Sequence, residues 1–169
     1  ISADLKTCLW SALLQYERDR LLEKFSRNSV IVDLNSGCGA LAIRAAANGC
    51  RVIANDANET CYNTTITNAE ASKVAANIYA YNLDPAELLQ QLASSASDSG
   101  VAPGVDLLRS PQISAIPAGD VTDVVLSGSD GNLALLPKIC DLFELKDIKY
   151  HVYINAISRE DAVKQLFRL

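Results

Sequence analysis

Residues 29–58, SVIVDLNSGCGALAIRAAANGCRVIANDAN, contain the pattern that most restricts how this chain can fold. An apolar run that ends in Asp33 predicts a buried strand, and the segment 35–39 predicts a glycine-rich turn. Residues 40–47 are rich in alanine and precede Asn48 and Gly49, which is typical of a helix and its C-terminal cap. A second apolar run follows at 51–54, just before Asp56. This order of elements predicts a right-handed βαβ unit of a parallel sheet.

The same alternation continues along the chain. Strands are predicted at 30–34, 51–54, 77–81, 121–126 and 150–154. Helices are predicted at 5–25, 40–47, 58–72, 85–92, 132–143 and 159–168. Asn58 and Ser158 are expected as N-caps, and Pro85 lies at a favoured first-turn position. Strands that alternate with helices indicate an α/β protein with a Rossmann-like, doubly wound parallel sheet.

One segment, residues 93–120, interrupts this alternation. It includes the polar, low-complexity run SSASDSGVAPG, which predicts a flexible surface insertion. The insertion connects a helix to the start of a strand, so we expect it at the amino-terminal edge of the sheet. Ligands of such sheets bind at the opposite, carboxyl edge. We interpret residues 1–169 as one domain and as a fragment of a longer protein.

Composition excludes several classes of protein. The five cysteines are scattered without a CxxC pair, which indicates reduced thiols and an intracellular, cytoplasmic location, with the nucleus and mitochondrion as alternatives. The single histidine and the cysteine spacing argue against a metal site. No apolar run approaches the roughly 20 residues that span a bilayer, so no membrane contact is expected. The net charge of -5 indicates that any nucleic acid would be held partly by flanking regions.

The glycine loop fits two kinds of cofactor. Residues 37–42 satisfy the loose dinucleotide pattern G-x-G-x-x-A. A nicotinamide cofactor is nevertheless disfavoured, because the carboxylate of Asp33 would repel a pyrophosphate. S-adenosylmethionine has no phosphate, and its methionine end carries positive charge that Asp33 can offset. Gly37 and Gly39 let the backbone approach such a ligand closely.

Two further acidic residues follow the next two strands. Asp56 can accept hydrogen bonds from both ribose hydroxyls of S-adenosylmethionine. Asp84 is placed to bind the adenine amino group, with Leu83 beside the ring. Because the carboxyl ends of parallel strands meet at one edge, these groups are expected to lie together with Asp33. The sequence therefore predicts an S-adenosylmethionine site at this edge.

These motifs resemble the class I methyltransferase domain of the archaeal and eukaryotic tRNA (guanine-N1)-methyltransferases. The resemblance rests on D-x-x-x-G-x-G at 33–39 and N-D-x-N at 55–58, and it covers nearly the whole chain except 93–120. It implies S-adenosylmethionine as cofactor, tRNA as substrate, and methylation of N1 of the guanine on the 3′ side of the anticodon. Candidate cofactor-binding residues are Asp33, Asn35, Gly37, Gly39, Asp56, Ala57, Leu83, Asp84 and Ser127. The family's final strands and its amino-terminal RNA-binding domain are not expected in these residues.

The chain departs from the family pattern at the target base. Where the family has Asn-Leu-Pro after the fourth strand, Ser127 and Ser129 flank a glycine, and a family arginine is replaced by Leu13. The catalytic residues are therefore not assigned from the sequence. Two alternatives remain open: an S-adenosylmethionine-binding or interaction module without turnover, and the aminocarboxypropyl transferase of wybutosine synthesis. Cys61 and His151 are interpreted as structural residues.

Overall fold

The computed structural model describes residues 15–94, 120–128 and 148–154, and the single residues Ala3, Leu135, Pro137, Ile139 and Asp141. The helices are α1 (Gln15–Lys24), α2 (Ala40–Ala47), α3 (Glu59–Ala71) and α4 (Pro85–Ser94), with a 3₁₀ turn at Ala75–Asn77. The strands are β1 (Val30–Asp33), β2 (Arg51–Asn55), β3 (Ile78–Tyr81), β4 (Asp123–Gly128) and β5 (Lys149–Ile154). The predicted helix at 159–168, its cap Ser158, residues 5–14 and most of the insertion lie outside the described residues. Pro137, Ile139 and Asp141 are helical, as predicted for 132–143.

The five strands form one parallel sheet in the order β3-β2-β1-β4-β5. In the centre of the sheet, Val32 is in register with Ile53 on one side and Val124 on the other. Every residue of β1 and β3 is buried, as expected for parallel strands that are covered on both faces. The predicted parallel α/β fold is confirmed.

Helices cover both faces of the sheet. On one face, α1, α2 and α3 pack against alternate residues such as Ile31 and Val52. On the other face, α4 packs with Ile139 against the intervening residues, such as Val32 and Ile53. Successive residues of a strand point to opposite faces, so β1 and β2 contribute to both cores. This arrangement confirms the predicted doubly wound architecture.

The helix ends follow the predicted signals. The Oδ1 atom of Asn58 accepts hydrogen bonds from the backbone N–H groups of Thr60 and Cys61, so Asn58 caps α3. Asn48 is the C-cap of α2, and the following residue, Gly49, has a φ of 92°. That left-handed conformation is the usual C-terminal stop for a helix. These local signals set where α2 and α3 begin and end.

The amino-terminal half of the sheet contains a buried acid–histidine pair. The fully buried Asp123 accepts a hydrogen bond from Thr122 at 2.8 Å, and its Oδ1 lies 3.1 Å from Nε2 of His151. The His151 ring meets Phe25 edge-on, with ring centroids 5.5 Å apart. His151 thus has the structural environment that was expected for it.

The last residue of the predicted insertion lies at the expected edge. Asp120 is exposed and pairs with Arg51, the first residue of β2, at 3.6 Å. This contact places Asp120 at the amino-terminal edge, away from the glycine loop. Within the described part of the chain, no helix has the length and apolar character needed to cross a membrane.

Candidate functional site at the carboxyl edge of the sheet

The chain leaves β1 at the carboxyl edge and turns through two glycines into α2. Gly37 has a φ of 59° and Gly39 a φ of 77°, both in the left-handed region that other residues rarely adopt. A Cβ atom added to Gly39 would lie 3.1 Å from side-chain atoms of Ile43 and Thr65, which is tighter than ordinary contact. The backbone conformation favours glycine at both positions, and close packing adds to the preference at position 39.

Asp56 joins the second strand to this loop. Its Oδ2 accepts a hydrogen bond from the backbone N–H of Gly37 at 2.8 Å, and its Oδ1 accepts one from Asn58 N–H at 2.9 Å. The side chain is half-buried. Each carboxylate oxygen has two lone pairs, so both oxygens keep the capacity to accept a further hydrogen bond. The structure therefore brings together Gly37 and Asp56, two residues that the sequence placed in one site.

A buried asparagine, the first residue of the N-D-x-N motif, to which the sequence assigned no role, links the strand ends. The side-chain amide of Asn55 donates to the carbonyl of Leu34 at 3.1 Å and to that of Leu83 at 3.0 Å. Its Oδ1 accepts a hydrogen bond from Leu83 N–H at 3.1 Å. The signal in the sequence was a polar residue ending an otherwise apolar strand, because such a side chain needs partners when buried. Asn55 fixes Leu83, the residue predicted to lie beside the adenine.

The loop after β3 contacts both the loop after β2 and the first turn of α4. The amide of Asn82 donates to the carbonyls of Asp56 at 2.8 Å and Ala57 at 3.1 Å, which links this loop to the one after β2. Asp84 is exposed, and its Oδ1 accepts a hydrogen bond from Ala86 N–H at 2.8 Å. Asp84 thus caps the first turn of α4. Its predicted contact with an adenine amino group stays a prediction.

Asp33 is the buried charge of the site. Burial is the main cause that raises the pKa of its carboxyl to about 7, and Asp56 nearby raises it further. A hydrogen bond from Asn35 N–H and the positive charge of Arg18 act in the opposite direction. A part of this carboxyl is therefore protonated near neutral pH. A cationic ligand beside it would favour the ionised form.

Two buried polar atoms of the loop have no hydrogen-bond partner among the described residues. They are Oδ1 of Asn35 and Oγ of Ser36. A buried polar atom normally has a partner, and leaving one unsatisfied costs about 1–3 kcal/mol. The two atoms can therefore hydrogen-bond to a polar ligand or an ordered water.

Two side chains of helix α3 donate hydrogen bonds to the backbone of the glycine loop. The hydroxyl of Thr65 donates to the carbonyl of Gly37 at 3.0 Å, and the amide of Asn68 donates to that of Cys38 at 3.0 Å. Both side chains are buried. Their signal in the sequence was two polar residues three positions apart on the buried face of a helix. Cys61 packs with Cys38 in a small buried cluster, which confirms its predicted packing role.

The residues predicted to face the target base are only partly described. Ser127 is the fifth residue of the six-residue strand β4, in register with Tyr153 of β5. Because β4 lies beside β1, its carboxyl end reaches the same edge as the glycine loop. Ser129 and Leu13 lie outside the described residues. Among the residues that are described, no group of three or more His, Cys, Asp or Glu side chains could hold a metal ion.

The fold and this edge define a Rossmann-like methyltransferase domain. The chain belongs to the TRM5/TYW2 methyltransferase domain family, whose model matches residues 1–98. It is 36% identical over 88 residues to the tRNA (guanine(37)-N(1))-methyltransferase of Trichomonas vaginalis, a match that covers 52% of this chain and 23% of that protein. The match thus spans about a quarter of that relative's length.

Solved structures share the fold. Methanocaldococcus jannaschii Trm5 in complex with adenosine superposes with a TM-score of 0.65 at 19% identity, over 98% of this chain and 42% of that chain. M. jannaschii TYW2 in complex with AdoMet superposes with a TM-score of 0.61 at 18% identity, over 97% of this chain and 64% of that chain. At this level of identity the likeness concerns the fold alone.

Proposed function

We propose that this chain binds S-adenosylmethionine at the carboxyl edge and methylates N1 of the guanine on the 3′ side of the tRNA anticodon. The observation that carries the proposal is the bond between Asp56 and Gly37, which joins the acidic residue after β2 to the glycine loop in a member of this family. S-adenosylmethionine supplies the activated methyl group. We also propose a cytoplasmic location, which the reduced state of the described cysteines Cys38, Cys50 and Cys61 supports.

We assign the candidate cofactor-binding residues to the ribose, adenine and methionine portions of S-adenosylmethionine. Asp56 accepts hydrogen bonds from the ribose hydroxyls through lone pairs that its two backbone contacts leave available. Leu83, held by Asn55, lies beside the adenine, and Asp84 binds the adenine amino group. Asp33 offsets the positive charge of the methionine end. The remaining candidate contacts are the loop residues Asn35, Gly37 and Gly39, with Ala57 and Ser127 at the neighbouring strand ends.

The polar loop supports a cofactor with a charged amino-acid end. The unsatisfied Asn35 and Ser36 atoms offer hydrogen-bonding capacity that an apolar ligand would leave unused. The raised pKa of Asp33 supports a cationic ligand, because the neighbouring positive charge would recover part of the free energy lost by burying the carboxylate.

The proposed substrate is tRNA, as in the name of the Trichomonas relative. Because a net charge of -5 disfavours contact with many phosphates, we propose that this domain binds the cofactor and that other regions of the protein bind much of the tRNA phosphate backbone. Ser127 and Ser129 are the proposed neighbours of the target base.

The test combines binding with transfer. S-adenosylmethionine is titrated into the protein by calorimetry, and labelled methyl transfer is then measured to unmodified tRNA with guanine 3′ of the anticodon. The matched control is the same tRNA with adenine at that position. We expect binding, and transfer only to the guanine-containing tRNA. Failure to bind would overturn the whole proposal, and equal labelling of the two tRNAs would overturn the assigned base.

A second candidate function is cofactor binding without turnover, and the sequence at the end of β4 favours it. The strand ends in Ser127 and Gly128, where the family pattern has Asn and Leu. Under this alternative, the protein binds S-adenosylmethionine but transfers nothing, and the double change Leu13→Arg with Ser127→Asn increases transfer. The mass of any tRNA product would distinguish a methyl group from the aminocarboxypropyl group of the remaining alternative.

A further inference from the structure

Three threonines of α3, Thr64, Thr65 and Thr67, donate side-chain hydrogen bonds to different parts of the protein. The hydroxyls of Thr64 and Thr67 each donate to a carbonyl four residues earlier in the helix, at 2.7 and 3.0 Å. Thr65 instead donates out of the helix to the carbonyl of Gly37 at 3.0 Å, and it is only 1% exposed. Thr65 is therefore the threonine in this set that connects α3 to the glycine loop.

Asn68 extends the same contact by one helical turn. Its amide donates to the carbonyl of Cys38 at 3.0 Å, so two consecutive carbonyls of the loop bind side chains of α3. The next residue, Gly39, also meets Thr65, because a Cβ built at Gly39 would lie 3.1 Å from both Cγ2 and Oγ1 of Thr65. Residues 37–39 thus rest on two buried side chains of one helix.

Gly37 is held from two sides. Its N–H donates to Asp56, the proposed ribose ligand, while its carbonyl accepts from Thr65. Within the loop, the N–H of Gly39 donates to the carbonyl of Ser36 at 2.9 Å and closes a turn. Since Gly37 and Gly39, both at positive φ, have many accessible backbone conformations, the side-chain bonds help to select the one that is observed.

We propose that Thr65, assisted by Asn68, is a positioning residue that holds the glycine loop in the shape that accepts the methionine end of S-adenosylmethionine. This inference rests on the proposed function of the site. The hydroxyl of Thr65 binds the carbonyl of the Gly37–Cys38 peptide, whereas Asp56, the proposed ribose ligand, binds the N–H of the preceding peptide. Its removal should therefore affect S-adenosylmethionine more than adenosine, which lacks the amino-acid end.

The test uses Thr65→Val in the whole chain, because valine keeps the branched shape of threonine and replaces the hydroxyl by a methyl group that cannot donate a hydrogen bond. We expect the Kd for S-adenosylmethionine to rise about tenfold, the loss typical of one buried hydrogen bond to a preorganised loop. The Kd for adenosine should change by less than about twofold. Thr65→Ser retains the hydroxyl and should restore most of the affinity. Thr67→Val, the same chemical change in the same helix, should bind like the wild type.

The outcomes separate this inference from the proposed function. Wild-type protein that binds neither ligand overturns the proposed function and the inference with it. Wild-type protein that binds, together with an unchanged Thr65→Val variant, overturns the inference alone. Equal weakening of S-adenosylmethionine and adenosine, with a lower melting temperature, would mean a purely structural role and also overturn it. Asn68→Leu provides a second variant if Thr65→Val does not fold, with the same expected selectivity for the methionine end.

Discussion

The carboxylate of Asp56 accepts a hydrogen bond from the backbone N–H of Gly37 at 2.8 Å, across 19 positions of sequence. The bond joins the loop after β1 to the loop after β2, and the second oxygen of Asp56 is held by Asn58 N–H. The carboxylate therefore has a fixed orientation before any ligand binds. A ribose would meet an acceptor pair that loses little conformational freedom on binding, which favours affinity.

Replacement of Asp56 tests this preorganised acceptor. In Asp56→Ala, both proposed ribose hydrogen bonds and the anchor of Gly37 are lost. We expect the binding free energy of S-adenosylmethionine to weaken by about 1–3 kcal/mol, measured by calorimetry. Asp120→Ala is the control, since Asp120 is an exposed aspartate paired with Arg51 at the opposite edge. Unchanged affinity in Asp56→Ala would contradict the ribose assignment.

The buried Asp33 predicts a pH dependence of stability. Its pKa is about 7 in the folded protein, against an ordinary value of 3.8, so the folded state binds the proton more tightly than the unfolded state. The stability contributed by protonated Asp33 is fully present below about pH 4 and is lost as the pH rises through 7. A shift of this size corresponds to a free energy on the order of 4 kcal/mol.

The change Asp33→Asn isolates this contribution. We expect the variant to be more stable than the wild type at pH 8, and the difference to shrink towards zero as the pH falls to about 4. Urea unfolding at several pH values measures this difference in the free energy of unfolding. The same variant should bind S-adenosylmethionine more weakly at pH 8, because the charge that offsets the methionine end is gone. A difference in unfolding free energy that does not vary with pH would contradict the raised pKa.

Local signals in the sequence predicted the fold well. The bounds 40–47 of α2 and the cap Asn58 of α3 were predicted correctly, because alanine content, a glycine stop and an asparagine cap each act within a few residues. Strand bounds shifted by one or two residues: β1 ends at Asp33 rather than at 34, and β4 begins at Asp123 rather than at 121. The ends of strands depend on pairing with neighbours, which lies beyond local sequence.

Within the candidate site, the sequence predicts only residues whose type is typical of a particular function. The meeting of Gly37 and Asp56 is predictable, because a glycine turn after one strand and a carboxylate after the next lie at the same edge of a parallel sheet. Their role as cofactor ligands stays a prediction. The roles of Asn55 and Thr65 were not predicted, because their partners are backbone carbonyls that lie 21 and 28 positions away. Such partners become visible only when the strands are paired and α3 is packed.

Two glycines with left-handed backbone provide a matched pair of variants. Gly39→Ala and Gly49→Ala both force an alanine into a positive φ, which costs about 1–2 kcal/mol. At Gly49 the new Cβ meets the side chain of Arg27, an exposed residue that can move. At Gly39 it meets Thr65 and Ile43, both buried.

We therefore expect Gly39→Ala to lose about 2–4 kcal/mol of stability and Gly49→Ala about 1–2 kcal/mol, since overpacking adds to the backbone strain at Gly39. Urea unfolding gives both values. S-adenosylmethionine affinity should fall in Gly39→Ala and stay unchanged in Gly49→Ala. Equal losses of stability would mean that Thr65 and Ile43 move aside, and would weaken the case for a rigid loop.

The buried pair Asp123 and His151 is expected to stabilise the fold without affecting the cofactor. Burial alone would raise the pKa of Asp123, but hydrogen bonds from His151 and Thr122 outweigh it and hold that pKa below its ordinary value. In His151→Ala the carboxylate loses one of these partners and the ring contact with Phe25, so we expect a loss of about 3 kcal/mol at pH 7.

Because the folded pKa of Asp123 is lowered, its stabilising contribution is present above about pH 4 and is lost as the pH falls through the lowered value. The difference in stability between the wild type and His151→Ala should therefore narrow in acid. His151→Gln keeps a side-chain N–H donor and should recover part of the loss. Chemical unfolding at pH 7 and at about pH 3 measures these differences, and calorimetry should find the same S-adenosylmethionine affinity in all three proteins. A large loss of affinity in His151→Ala would show that this pair is coupled to the carboxyl edge, contrary to its place in the amino-terminal half of the sheet.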